Sequence, residues 1–166
     1  MSAVISPDGK YRYRLARDLG MMGNGTCCFI MLNPSTADAT NDDQTIRKCI
    51  AYAKRFNTDR LEVVNLFAYR SRDPDALYGM SKNVAIGPEN DQHISEVCGM
   101  ARIVICAWGN HGVLFGRDKE VLRSLLFNRV NPKALKINNK SKQPAHPLYL
   151  KADAPLIDMV ASLPER

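Results

Sequence analysis

The sequence has no apolar run long enough to span a membrane. Its longest uninterrupted run, Cys27 to Leu32, is far shorter than the ~20 residues of a transmembrane helix. The first residues also lack the basic flank and the apolar core of a secretory signal peptide. We therefore expect a cytoplasmic protein that does not bind membranes.

Cysteine patterns that would hold a metal or form a disulfide framework are also missing. The chain has five cysteines, an odd number, and no C-x-x-C pair, so neither a zinc site nor a set of disulfides is predicted. Most of the cysteines lie in apolar runs, where a free cysteine behaves as a small hydrophobic residue. We expect reduced cysteines and no cofactor.

Internal repeats, low-complexity tracts and linkers rich in proline or glycine are absent, which predicts a single domain over residues 1–166. Hydrophobic residues make up 45% of the chain and charged residues 24%, values that exclude a disordered chain. Lys and Arg number 23 against 17 Asp and Glu, and the pI is about 9.2. This surplus favours an anionic partner, and DNA or a nucleotide is the partner we predict.

Basic residues are concentrated towards the end of the chain. Between residues 117 and 151, nine Lys or Arg residues oppose two acids. We predict that Arg117, Lys140 and Lys142 contact nucleic-acid phosphates. An ordinary solvated surface is the alternative interpretation.

Hydrophobic periodicity predicts strands and helices in alternation. Residues 11–17 alternate aromatic or aliphatic side chains with arginines, which is typical of a half-exposed strand. The elements predicted after it are a strand over 27–32, a helix over 43–56, a strand over 61–67, a helix around 94–101, a strand over 103–108, a helix around 121–130, a short strand over 134–137 and a helix over 156–163. This order predicts an α/β fold, a three-layer sandwich with a central parallel four-stranded sheet and an N-terminal strand or hairpin.

Ligands of parallel α/β sheets bind beyond the carboxyl ends of the strands. Asn33 follows the first buried strand, and Pro34 fixes the backbone after it, so the amide could hold a water molecule. His146, followed by a proline in the loop after the last strand, could donate to an oxygen that becomes negative. The alternatives are that Asn-Pro only starts a turn and that His146 is an exposed bystander.

The other strand ends carry an amide and aromatic rings, which suit a planar heterocycle. Asn65 could read the edge of such a ring while an aromatic side chain stacks on its face. Phe67 and Arg70 follow the same strand, and Trp108 ends the next one. Alternatively, Asn65 only caps the sheet, and Phe67 and Trp108 fill the core.

Three acids, Asp38, Asp42 and Asp43, precede the helix predicted over 43–56. Helix capping and the helix dipole are sufficient to explain them. A Mg²⁺ site is the alternative, although no spacing requires one.

Taken in order, the four strand ends resemble motifs of the uracil-DNA glycosylase superfamily. Residues 31–35 are similar to its G-x-N-P-G segment, residues 63–67 to its strand that ends in a base-reading Asn, and residues 103–109 to its third strand. Residues 144–150 resemble its His-Pro motif. A closer resemblance, carried by MLNPSTAD, NDDQTIR, NLFA and HPLYL, is to an uncharacterised bacterial and phage family, a domain of unknown function.

The glycosylase resemblance implies a glycosylase-like fold with a pocket for a flipped or free base. It implies that Asn33 holds the attacking water, Asn65 reads the base edge and His146 donates to the base oxygen. Asp43 is our candidate for the catalytic base. The remaining candidates for substrate binding are Pro34, Ser35, Phe67, Arg70, Trp108 and Tyr149.

We therefore expect a hydrolase that cleaves the N-glycosidic bond of a modified or mismatched base in DNA or in a nucleotide. One alternative is a non-catalytic module that binds nucleic acid or a nucleotide on the same fold, with a role in phage–host conflict. Another is a nucleotide-processing enzyme that uses the acids near Asp42 with Mg²⁺.

Overall fold

A computed structural model describes residues 1–20, 23–35 and 37–159. The described chain forms a seven-stranded mixed sheet with α-helices packed against it. The strands are β1 (Ser2–Ile5), β2 (Arg12–Asp18), β3 (Thr26–Met31), β4 (Arg60–Asn65), β5 (Ile103–Cys106), β6 (Lys133–Ala134) and β7 (Ile157–Asp158). The α-helices are α1 (Gln44–Arg55), α2 (Lys82–Ile86), α3 (Asn90–Met100) and α4 (Arg117–Phe127).

The strands lie in the order β1-β2-β4-β3-β5-β6-β7. β3 pairs in parallel with β4 on one side and with β5 on the other, and β5 pairs in parallel with β6. β1, β2 and β7 join the sheet antiparallel to their neighbours. The mixed α/β class is thus confirmed, and the N-terminal hairpin is present as β1 and β2.

Each face of the sheet has its own hydrophobic core because the central strands are apolar on both sides. Phe29 of β3 packs on the face covered by α1, whose buried side chains include Ile46 and Cys49. Ile30 packs on the opposite face, together with Ile94 of α3. The periodicity of the 43–56 segment predicted α1 correctly, because its apolar residues recur at three and four.

The arginines of β2 are the first departure from expectation. Alternation predicted that they face solvent, yet Arg12 and Arg17 are both buried. The segment after β3 covers them: the Arg17 guanidinium donates to the Asp38 carbonyl and to the Asp42 carboxylate, and Arg12 donates to the Ala37 carbonyl. A period of two indicates that polar and apolar side chains alternate, but it does not reveal that a segment distant in the sequence buries Arg12 and Arg17.

The end of the chain is the second departure. Residues 134–137 were predicted as a strand, but β6 covers only Lys133–Ala134, and Ile137 forms an isolated bridge with Pro144. A helix was predicted over 156–163, whereas Ile157–Asp158 form β7, which pairs with β6. The rest of that predicted helix, residues 160–163, lies outside the described residues.

Two further expectations concern cysteines and membranes. All five cysteines are free thiols and buried, and burial raises the pKa of Cys27 to about 12. The cysteines therefore serve as core residues, as their apolar neighbours indicate. Among the described residues, no helix is both long enough and apolar enough to cross a bilayer.

Candidate functional site

The main cavity lies at the carboxyl ends of the parallel strands. It has a volume of about 560 Å³, and its lining includes the ends of β3, β4 and β5, the loop after β6 and the first turn of α1. This is where the chain order of the strands reverses, since β4 lies on one side of β3 and β5 on the other. Such a reversal opens a crevice between the flanking loops. Asn33, Asn65 and His146, predicted from separate strand ends, all line this one cavity.

Asn33 has its amide group held by the backbone. Its Nδ2 donates to the Ser71 carbonyl at 3.0 Å and to the Pro34 carbonyl at 3.3 Å. These donations assign the NH2 group and leave Oδ1, an acceptor, as the other end of the amide. Asn33 can therefore present a fixed acceptor to a water molecule in the cavity.

Asn65 is the last residue of β4, is only 1% exposed and lines the cavity. Its Oδ1 has no hydrogen-bond partner within the described residues. A buried amide oxygen without a partner is destabilising by about 1–3 kcal/mol. Most buried polar atoms in proteins are paired, so this oxygen marks a position that a ligand donor could fill.

His146 precedes the short 3₁₀ turn Pro147–Tyr149 and caps it. The Leu148 amide donates to its Nδ1 at 3.2 Å, which assigns the proton of the neutral ring to Nε2. Burial lowers the pKa of His146, and the nearby Asp43 carboxylate partly opposes that shift. At neutral pH, His146 is thus an uncharged imidazole with an Nε2–H donor.

Trp108 forms a rigid part of the cavity wall. Its ring is buried, and its Nε1 donates to Gln143 Oε1 at 2.7 Å, while Gln143 Nε2 donates to Asp118 Oδ2. Gly112 packs directly on the ring, since a Cβ at this position would lie 2.0 Å from Trp108 Cδ1. Trp108 therefore fills the core, as the alternative interpretation predicted, and it also lines the cavity.

The three acids near α1 each have a structural partner. Asp43 is the N-cap of α1, and its Oδ1 accepts from the Ile46 amide at 2.9 Å. Asp42 pairs with Arg17. Asp38 accepts from the Thr40 and Asn41 amides, which lower its pKa. Only Asp43 of the three lines the cavity, and the described residues contain no cluster of three or more His, Cys, Asp or Glu that could hold a metal.

The other predicted substrate contacts divide into two groups. Ser35 and Tyr149 line the cavity, and Tyr149 is 84% exposed at its mouth. Pro34, Phe67 and Arg70 are not among the lining residues. Pro34 accepts through its carbonyl from the Ser71 amide, Phe67 is buried against Phe115, and Arg70 donates to the Gly9 carbonyl.

The three residues predicted to contact phosphates do not lie on one surface. Arg117 is buried; its guanidinium donates to the Leu66 carbonyl and pairs with Asp91. It therefore lies within the fold and not on a surface shared with the two lysines. Lys140 and Lys142 are in the loop after β6, and Lys140 lines a smaller depression of about 280 Å³ next to the main cavity.

Several cavity residues were not anticipated from the sequence. Arg12 and Thr45 lie on the wall, and Arg72, Asn110 and Lys136 join it from the surrounding loops. Arg12, Arg72 and Lys136 outnumber Asp43, so the lining carries more positive than negative charge. The basic segment over 117–151 pointed to Lys136, but no local signal connects Arg12, in the N-terminal hairpin, to the strand ends.

The fold and the cavity define an α/β protein with a cavity of small-molecule size at its strand ends. Residues 12–148 match the family described as "Protein of unknown function (DUF1643)", and the chain belongs to that family. The match extends from Arg12 to Leu148 and so includes Asn33, Asn65 and His146. No curated protein and no solved structure gives a significant match to the chain.

Proposed function

We propose that this protein is a hydrolase of the DNA-glycosylase type, which cleaves the N-glycosidic bond of a modified or mismatched base in DNA or in a nucleotide. The observation that carries this proposal is the meeting of Asn33, Asn65 and His146 at one cavity. They contribute a fixed amide, a buried oxygen without a partner in the described part of the chain, and a neutral imidazole. The resemblance of the same strand ends to uracil-DNA glycosylase motifs points in the same direction.

The proposed reaction breaks the bond between C1′ of the sugar and the base nitrogen. The electron pair of that bond leaves with the base, and a water oxygen forms the new bond to C1′. His146 Nε2–H donates to the base oxygen on which negative charge develops, and such a donor contributes roughly 3–4 kcal/mol. The proton lost by the water passes to the carboxylate of Asp43, which later releases it to solvent. The departing base anion takes up a proton from solvent, so the products are the free base and an abasic sugar.

Two amides have different tasks in this scheme. Asn33 accepts a hydrogen bond from the attacking water, which aligns it with C1′. Asn65 Oδ1 accepts from an N–H on the edge of the base, which removes the penalty of an unpaired buried oxygen. Bases that lack an N–H at that position leave the oxygen unpaired, so Asn65 is the residue that selects the base.

The test is release of free base from DNA and nucleotides that contain uracil, hypoxanthine or phage-type modified bases. Asn33→Ala and His146→Ala should each lower the rate about a hundredfold or more. The matched controls are Asn128→Ala and His93→Ala, which remove an amide and an imidazole that do not line the cavity. The controls should stay within a fewfold of the wild type. Absence of base release across the panel would overturn the proposal.

A second candidate is a non-catalytic module that binds nucleic acid or a nucleotide. The depression beside the cavity supports it, because Asn110, Lys136 and Asn138 line both and Lys140 adds a further cation. Binding of this kind weakens as salt rises. It should survive Asn33→Ala and weaken in Lys136→Ala and Lys140→Ala, and the absence of base release together with this pattern would favour it.

A further inference from the structure

A buried guanidinium lies in the cavity wall without a complete set of partners. Arg12 is 3% exposed, and its Nε has no hydrogen-bond partner within the described residues, although another nitrogen of the group donates to the Ala37 carbonyl. Burial lowers the pKa of Arg12 to about 10, and the Asp43 carboxylate opposes this shift. Arg12 is therefore still a cation at neutral pH. An incompletely paired buried cation that lines a cavity suits an anionic ligand group.

Other features of the wall near Arg12 also favour an anion. Thr45 and Ile46, in the first turn of the 12-residue helix α1, line the same cavity. The first amides of a helix have no intrahelical acceptor and bind anionic groups well. The Ile46 amide is taken by Asp43, so the Gln44 and Thr45 amides are the ones that an anion would use. Asp43 opposes an anion, but its Oδ1 is already held by the Ile46 amide, and Arg72 and Lys136 add positive charge to the lining.

Burial distinguishes two forms in which a phosphate could reach Arg12. A phosphodiester within DNA continues in both directions and binds along open surfaces, as exposed lysines on a groove provide. A terminal phosphate can enter a closed site and carries close to two negative charges at pH 7. The cavity, at about 560 Å³, lies in the range of roughly 300–1,000 Å³ typical of small-molecule sites.

We propose that Arg12 and the first turn of α1 form a subsite for the terminal phosphate of a free nucleotide, so that a nucleoside 5′-monophosphate, and not a base within DNA, is the molecule that the cavity takes. This inference rests on the proposed function for the chemistry at the base. The phosphate subsite itself is a matter of binding and can be tested without catalysis.

The first experiment uses inorganic phosphate as the probe. Phosphate should raise the melting temperature of the wild-type protein more than potassium chloride at equal ionic strength, because a ligand that binds only the folded state stabilises it. Arg12→Gln should abolish this difference. The matched control is Arg17→Gln, which removes a second buried arginine of β2 that holds the same segment but does not line the cavity. Arg17→Gln should keep the phosphate-dependent shift.

The second experiment compares each nucleoside 5′-monophosphate with its own nucleoside and with an oligonucleotide that has no terminal phosphate, by calorimetric titration and by base release. The wild type should prefer the monophosphate over the nucleoside by roughly tenfold to a hundredfold. Arg12→Gln should remove that preference, and Arg17→Gln should retain it. Because the preference is a ratio within one variant, a partial loss of folding does not imitate the result.

The outcomes separate this inference from the proposed function. Arg12-dependent binding of monophosphates without base release supports the subsite and counts against the hydrolase. Base release from oligonucleotides with no preference for monophosphates supports the hydrolase and overturns the subsite. Equal affinity for nucleosides and monophosphates, or a preference that survives Arg12→Gln, also overturns the subsite.

Discussion

Strands β2 and β4 carry two polar clusters whose pairing differs sharply. Towards one end, Glu62 is buried and accepts from Arg14 at 2.9 and 3.0 Å and from Arg60 at 2.8 Å. At the other end, Asn65 Oδ1 and Arg12 Nε are buried without partners within the described residues. The residues lie on the same two neighbouring strands, so burial alone does not explain the difference.

The two clusters differ in whether their residues line the cavity. Asn65 and Arg12 line it, whereas Glu62, Arg14 and Arg60 do not. Unpaired buried polar atoms lower the stability of a fold unless something else satisfies them. The Glu62 cluster therefore stabilises the sheet, and we propose that the Asn65 cluster binds a ligand.

Glu62→Gln should produce the largest loss of stability. Glu62 is 2% exposed and pairs with two partly exposed arginines, Arg14 and Arg60, the second of which also pairs with Asp18. Removing one partner of a buried ion pair costs about 3–5 kcal/mol, and partial solvation of the arginines favours the lower end, about 3 kcal/mol. Urea denaturation measures the free energy of unfolding, and a change below about 1 kcal/mol would mean that this cluster does not stabilise the fold.

Gln143→Leu should have the next largest effect. It leaves Trp108 Nε1 without its acceptor and Asp118 Oδ2 without its donor, both in buried positions. We expect a loss of about 2 kcal/mol in the free energy of unfolding. The same denaturation measurement checks it, and a variant as stable as the wild type would show that the wall beside Trp108 is not held by this network.

Asn65→Leu should have little effect on stability and a large effect on function. The side-chain oxygen that it removes has no partner within the described residues, so its desolvation cost is relieved and the variant should be at least as stable as the wild type. Base release should fall below detection. Asn90→Leu is the matched control, because Asn90 is also buried but donates to the Asn65 and Leu66 carbonyls. It should destabilise the fold.

The smallest expected effect is the pH dependence of the contribution of His146 to stability. Burial lowers the pKa of His146 below its usual value of 6.5, so below about pH 6.5 the unfolded chain binds a proton more readily than the native chain. The contribution of His146 to stability is present above that pH and is lost as pH falls through the native pKa. The unfolding free energy of wild type minus that of His146→Asn should thus be larger at pH 7.5 than at pH 5. For Asn33→Ala, whose amide does not titrate, the difference from wild type should not depend on pH, and parallel curves for His146→Asn would contradict the assignment.

Much of the fold could be predicted because its signals are local. The apolar run at 27–32 and the periodicity of 43–56 identify β3 and α1, and the alternation of elements gives the α/β class. The residues at 157–158 were assigned to a helix because apolar spacing does not reveal pairing with a strand more than twenty residues earlier. Pairing over that distance depends on the whole sheet and not on the segment itself.

The residues of the candidate site also divide into those that the sequence could predict and those that it could not. Asn33, Asn65 and His146 could be predicted because each follows a strand and the carboxyl ends of parallel strands meet at one edge. Arg12 could not, because it enters the wall from an antiparallel strand and is buried by a segment that follows β3. Arg117 was expected on the surface from its charged neighbours, yet Asp91 and the Leu66 carbonyl hold it inside.

The most direct test of the central claim is a crystal structure of the protein with a nucleoside 5′-monophosphate. We expect the base inside the cavity, with an N–H of its edge donating to Asn65 Oδ1 and a base oxygen accepting from His146 Nε2. A nucleotide bound outside the cavity, or one whose base points to solvent while Asn65 remains unpaired, would contradict the claim.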